Sequence, residues 1–221
     1  MIAGLPASRL CLVTDRRRLA EACGLPLDQA IAALHALAAA AGECGIGAIQ
    51  LRERDLTARQ LFTLASELRD RLPSSTRLLV NDRADIAAAL AVGVHLRESS
   101  MPTSRVRSAC PAATPIWRAV HDRAGVDGAG PVDALVAGTV APTPSKPAAA
   151  VTLGLDGLRD LVAATAVPVY AIGGLKGSDW PGLAARGVHG VAAIGVFLPR
   201  RGETIAGAVS RAVAAFATSV D

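Results

Sequence analysis

With 221 residues, 51% of them apolar and only 19% charged, the chain is long enough to enclose a sizeable core and too apolar to remain disordered. A net charge of +4 suits an anionic small molecule. Aromatics at 3% and no basic run beyond Arg16–Arg18 argue against a nucleic-acid surface. No apolar run reaches the roughly 18–20 residues that span a bilayer.

The opening M-I-A-G-L-P-A-S-R-L lacks the basic-then-apolar order of a secretion signal, so a cytoplasmic chain is expected. Leu10–Thr14 is a short apolar strand. Leu27–Ala41 is rich in Ala and Leu at helical spacing. Ile46–Leu51 reads as a strand and Thr57–Leu72 as a helix, with Thr57 as its N-cap. Then come the strand Arg77–Val80, the helical Ala84–Ala91, the strand Gly93–Leu96 and a short helix over Thr103–Cys110. Strands Pro115–Val120 and Ala134–Val140 flank a weak helical segment. Helix Gly157–Ala164, strand Val167–Ile172, helix Ser178–Arg186, strand Gly190–Ile194 and a closing helix Glu203–Thr218 complete the order. Cys11, Cys23, Cys44 and Cys110 are scattered without a C-x-x-C pair, as expected of reduced core thiols.

Continuous Val, Ile, Leu and Ala strands separated by helices imply a parallel sheet buried on both faces. Eight strand–helix units in this length predict one α/β domain over residues 1–221, a compact (β/α)8 TIM barrel. The alternative is a doubly wound open sheet. That fold normally carries a Gly-rich turn after its first strand, where this chain has Thr14-Asp15-Arg16-Arg17.

In a barrel, the polar residues that end consecutive strands converge on one rim. Asp15 follows the first strand. Gln50, Arg52 and Arg54 end the second, with Gln50 and Arg52 two apart and therefore on one face. Arg52 calls for an anion, either a protein carboxylate or a ligand phosphate. Asn81 and Asp82 end the third strand, and Asp82 is either a Mg²⁺ ligand or the cap of the next helix. His95 and His121 end the fourth and fifth, whereas His35 and His189 read as structural. Gly173, Gly174 and Gly195 follow the last two strands, where barrels bind phosphate through backbone N–H groups. The proline-rich V-A-P-T-P-S-K-P (Val140–Pro147) presents Thr143, Ser145 and Lys146, one of only two lysines, on a stiffened loop. It suits either a phosphate or a solvated turn.

The chain resembles the thiamine phosphate synthase and TenI-like thiazole tautomerase family. The resemblance is carried by L-V-T-D (Leu12–Asp15), Q-L-R-E-R (Gln50–Arg54), L-V-N-D-R-A-D (Leu79–Asp85), G-V-H-L (Gly93–Leu96), P-T-P-S-K-P (Pro142–Pro147), L-G-L-D-G-L (Leu153–Leu158) and A-I-G-G-L (Ala171–Leu175). It implies the (β/α)8 barrel and a transferase that condenses hydroxymethylpyrimidine diphosphate with thiazole phosphate, releasing diphosphate, with Mg²⁺ as cofactor. It also implies roles. Gln50, Arg52, Asn81 and Lys146 would hold the pyrimidine diphosphate, with Arg54 where the family usually has Lys. Asp82 would bind Mg²⁺. Thr143, Ser145 and the amides near Gly173, Gly174 and Gly195 would hold the thiazole phosphate. Arg52 and Lys146 are the expected leaving-group contacts.

The departures point elsewhere. Ser100 stands where the synthases carry their second Mg²⁺ carboxylate; beside it, either Glu98 would take over as ligand with a shifted loop, or Arg97 would neutralise the diphosphate directly. Ala119 stands where they carry Ser. The segment A-V-H-D resembles the tautomerases, in which His121 would shuttle a proton on a thiazole carboxylate phosphate. The expected activity is therefore synthase first, tautomerase second and non-catalytic precursor binding third. The expected partners are small phosphorylated heterocycles, with a second copy of the chain as a candidate, but no nucleic acid or membrane.

Overall fold

The computed structural model describes residues 7–143 and 151–217. Eight parallel strands close into a barrel: β1 (Leu10–Val13), β2 (Ala48–Leu51), β3 (Arg77–Asn81), β4 (Gly93–Leu96), β5 (Ile116–Val120), β6 (Ala134–Gly138), β7 (Val169–Ile172) and β8 (Gly190–Ala193). Closure is made by β1 against β8, with Leu10, Cys11 and Leu12 opposite Val191, Ala192 and Ala193. An open sheet is thereby rejected.

The helices are α1 (Arg16–Cys23), α2 (Ala30–Glu43), α3 (Ala58–Arg71), α4 (Ala84–Leu90), α5 (Thr103–Ala109), α6 (Arg123–Asp127), α7 (Gly154–Ala163), α8 (Trp180–Ala184) and α9 (Ile205–Ala217). α1 falls where a turn was expected. Its start is set by Asp15, whose carboxylate accepts from the Arg18 N–H at 3.2 Å. Thr57 caps α3 as expected, in a reciprocal capping box with Gln60. The cap of α4 is Arg83, with no side-chain bond, so Asp82 does not serve that helix.

Alternation along the strands divides the core in two. Outward residues such as Leu12, Ile49, Val80, Val94 and Val191 pack against the helices. Inward residues Cys11, Val13, Ala48, Leu79, Trp117, Val136, Tyr170 and Ala192 fill the barrel. Trp117 and Tyr170 stack across it with centroids 4.5 Å apart. All four cysteines are free thiols. Cys11 and Cys110 are buried as expected, whereas Cys23 and Cys44 are only partly covered. No single helix among the described residues is long and apolar enough to cross a membrane.

Candidate active site at the barrel mouth

The plugged interior leaves one end open. Above the inward layer, at the C-terminal ends of the strands, lies a cavity of about 680 Å³. It is lined by Gln50, Arg52, Arg54, Asn81, His95, Ala119, His121, Thr143, Gly173, Gly174 and Gly195 among others. The expected site residues within the described chain therefore share one space, Asp82 standing just behind the lining. Ser145 and Lys146 lie outside the described residues. The described lining contains five cationic side chains (Arg18, Arg52, Arg54, Arg97 and Lys176) against a single carboxylate, Glu98. That imbalance selects an anion. Sequence reasoning missed Arg18 and Lys176. Arg18 arrives because α1 starts immediately after β1, and a Cβ on Gly195 would lie 3.6 Å from its guanidinium.

The floor is polar and ordered. Gln50 is buried, and its amide donates to Asn81 Oδ1 at 3.1 Å, tying the ends of β2 and β3. Arg52, one step further along, is half-buried. Burial lowers its pKa from the usual guanidinium value, and the neighbouring Arg54 lowers it further. Its backbone N–H donates to Thr14 Oγ1 at 2.9 Å, and Thr14 in turn donates to Glu53 at 2.6 Å. Glu53 points away from the cavity and receives the Arg16 N–H (3.1 Å) and guanidinium (3.2 Å). Asp55 takes the other side of the Arg16 fork at 2.9 Å. Acidic residues of the Q-L-R-E-R-D stretch are thus consumed by Arg16, leaving the guanidinium of Arg52 for the cavity.

On the opposite side, Asp82 adopts a left-handed backbone (φ 56°), which turns its carboxylate toward the loop after β4. Arg97 donates to Asp82 Oδ2 from Nε at 2.6 Å and also from Nη2. Ser100 Oγ donates to Oδ1 and itself accepts the Arg97 N–H at 2.9 Å. Glu98 accepts the His121 N–H at 3.2 Å and pairs with His121 Nδ1 at 2.7 Å. The whole loop is held from below by Arg118, a buried guanidinium on β5. It donates to the carbonyls of Glu98 (2.7 Å), Ser100 (3.1 Å) and Met101 (3.0 Å) and to Thr103 Oγ1 (3.2 Å). Its position inside a strand gave no sign of this role.

The third wall is backbone. Gly173 and Gly174 have φ of 105° and 68°. A Cβ at Gly174 would come within 2.5 Å of Pro142 O, and one at Gly173 within 2.6 Å of Thr139 Cγ2. Only glycine lets the end of β7 pass this close to the chain leading to Thr143.

His95 sits in the cavity floor, buried, with neither ring nitrogen hydrogen-bonded to any described residue. Burial pulls its pKa down to about 4, Asp82 opposing and Arg52 assisting. The imidazole is therefore neutral near pH 7, with a donor and an acceptor that no described residue satisfies. It titrates above pH 4 only in the unfolded chain, so stability should fall as pH drops from about 6.5 toward 4, at no more than roughly 1.4 kcal/mol per unit. Denaturant melts across that window should show a steeper loss in the parent than in His95→Gln, where the other depressed groups still titrate. Equal slopes in both would refute it.

The implied Mg²⁺ does not fit these donors. Both oxygens of Asp82 are engaged by Arg97 and Ser100, and Glu98 is tied to His121. Ser100 supplies no charge where a hard cation wants a second carboxylate. Among the described residues, no group of three or more His, Cys, Asp or Glu is placed to hold a metal ion.

A closed (β/α)8 barrel with a cationic, glycine-edged cavity at its strand ends defines a protein built to take phosphorylated small molecules at its rim. Its kinship agrees. The chain belongs to the thiamine monophosphate synthase family, whose model matches residues 10–197. It is 35% identical over 199 residues to the thiamine-phosphate synthase of Albidiferax ferrireducens, covering 86% of this chain and 84% of that one. Against the Vibrio campbellii thiamine-phosphate synthase the identity is 32% over 192 residues, covering 85% and 89%. A solved structure, the thiamine phosphate pyrophosphorylase from Pyrococcus furiosus, superposes with a TM-score of 0.74 at 26% identity, covering 95% of this chain and 96% of that one.

Proposed function

We propose that the protein is a thiamine phosphate synthase, a transferase that couples hydroxymethylpyrimidine diphosphate to thiazole phosphate. The carrying observation is the pairing of an ordered floor (Gln50, Asn81, His95) with a half-buried Arg52 that no carboxylate among the described residues claims. The C–O bond to diphosphate breaks with its electrons leaving on oxygen. The lone pair of the thiazole nitrogen then forms the C–N bond, and no proton needs to move. The work asked of the protein is to hold two anions apart and to stabilise the departing one. Arg52, Arg54 and Lys146 are assigned to the diphosphate. Gly173, Gly174, Gly195, Thr143 and Ser145 are assigned to the thiazole phosphate. Gln50 and Asn81 orient the pyrimidine.

The Glu98–His121 pair favours one second reading, the thiazole tautomerase, because a carboxylate on Nδ1 fixes the imidazole as a base. Mixing the protein with both synthase substrates should yield thiamine phosphate. His121→Ala should slow that coupling by no more than about tenfold, since proton transfer is not part of it. A tautomerase would instead lose on the order of 10²–10⁴ in that variant when given thiazole carboxylate phosphate. Absence of thiamine phosphate would defeat the synthase assignment.

A further inference from the structure

We infer that the guanidinium of Arg97, clamped on Asp82, is this protein's built-in replacement for a divalent cation, so that diphosphate binds here without metal. The inference rests on the synthase reading for the identity of the anion. The arrangement itself comes from the loop after β4. Asp82 holds Nε and Nη2 of Arg97, and Ser100 closes the loop by accepting from the Arg97 backbone while donating to the same carboxylate. A guanidinium has five N–H donors. With two committed to Asp82, three remain, on a side chain that is 58% exposed and lines the cavity.

Charge gives the same answer. A magnesium ion on two carboxylates is formally neutral, and so is Arg97 on Asp82 alone. Ser100 fits the second arrangement and not the first, because a carboxylate in its place would leave the site one negative charge in excess. The loop is also preorganised. Buried Arg118 fixes three of its carbonyls, so Arg97 need not be ordered when the ligand arrives. During coupling, Arg97 would donate to the diphosphate oxygens as the C–O bond breaks, and Asp82 would keep the fork aimed.

The test is calorimetric titration of the intact protein with inorganic diphosphate, once with EDTA and once with excess Mg²⁺. The expected affinities differ by no more than about threefold, allowing for Mg²⁺ bound to free diphosphate. Arg97→Gln should weaken binding in EDTA by about tenfold or more, the scale of a lost charge-assisted hydrogen bond. In the double variant Arg97→Gly, Ser100→Asp, which frees Asp82 and adds the second carboxylate, binding should become Mg²⁺-dependent. Parent binding that appears only with Mg²⁺, an Arg97→Gln variant that binds like the parent, or no binding under either condition would each overturn the inference. Coupling activity, read separately, distinguishes the two claims. Diphosphate bound without metal but no thiamine phosphate formed defeats the synthase reading alone. Thiamine phosphate formed only with Mg²⁺ defeats the Arg97 inference alone.

Discussion

Arg52→Ala is expected to lower the coupling rate by roughly two orders of magnitude or more while leaving the melting temperature unchanged or raised. Arg52 is held half-buried next to Arg54, and both burial and the like charge work against its protonated form. The two nearby carboxylates relieve it only in part. Asp15 is turned to the α1 N-terminus, and Glu53 faces Arg16. A guanidinium kept in this state is a local liability to the fold. Its removal therefore costs no structural contact that would mask the result. The opposite holds for function, because the developing charge on a departing diphosphate strengthens this contact as the C–O bond breaks. Arg52→Lys keeps charge and loses the fork, so it should recover only part of the rate. Loss in Arg52→Ala confined to KM would make the residue a general binder. An unchanged rate would remove it from the mechanism.

The barrel was legible because its strands are written in one register of physics. Val, Ile, Leu and Ala runs of four to five residues, buried on both faces, recur between Ala- and Leu-rich helices. What failed was α1. Its sequence R-R-R-L-A-E-A-C is polar at the front, and its apolar stripe is only Leu19 and Ala20, so it reads as turn. That omission hid Arg16 and Arg18, whose positions follow from a helix that starts right after β1.

The site divides along the same line. Gln50, Arg52 and Asn81 were readable, since alternation alone decides which way a strand-end side chain points. Gly173 and Gly174 were readable as a pair, although the need for glycine comes from Thr139 at the first and from the backbone of Ala141 and Pro142 at the second. The fate of Asp82 was not. Its partners are set by a left-handed φ and by a loop pinned through Arg118, neither of which leaves a mark in local spacing. The same is true of Glu98. Its place beside Ser100 suggests a stand-in metal ligand, and the structure gives it to His121.

Glu53→Ala is expected to cost about 3 kcal/mol and to lower the melting temperature by roughly 10 °C. Glu53 is 6% exposed and is the acceptor for three groups: the Thr14 hydroxyl, the Arg16 N–H and the Arg16 guanidinium. Truncation leaves the buried Thr14 O–H and Arg16 N–H without this acceptor and one side of a buried cation unpaired. Asp55 remains on the far side of Arg16, which holds the cost to the lower end of what breaking a buried ion pair brings. Burial pushes the Glu53 carboxyl up while Thr14 and Arg16 pull it down, so a neutral substitute of equal size is tolerable in part. Glu53→Gln should accordingly lose less than the alanine variant. The effect reaches the cavity, because the Arg52 N–H is anchored on Thr14 Oγ1 and Thr14 is oriented by Glu53. Glu53→Gln should therefore also lower turnover without touching substrate. Thermal melts and steady-state rates on the same preparations would check both expectations. A Glu53→Ala variant as stable as the parent would mean that Asp55 alone satisfies Arg16, and that the strand end carrying Arg52 is held by the sheet rather than by this network.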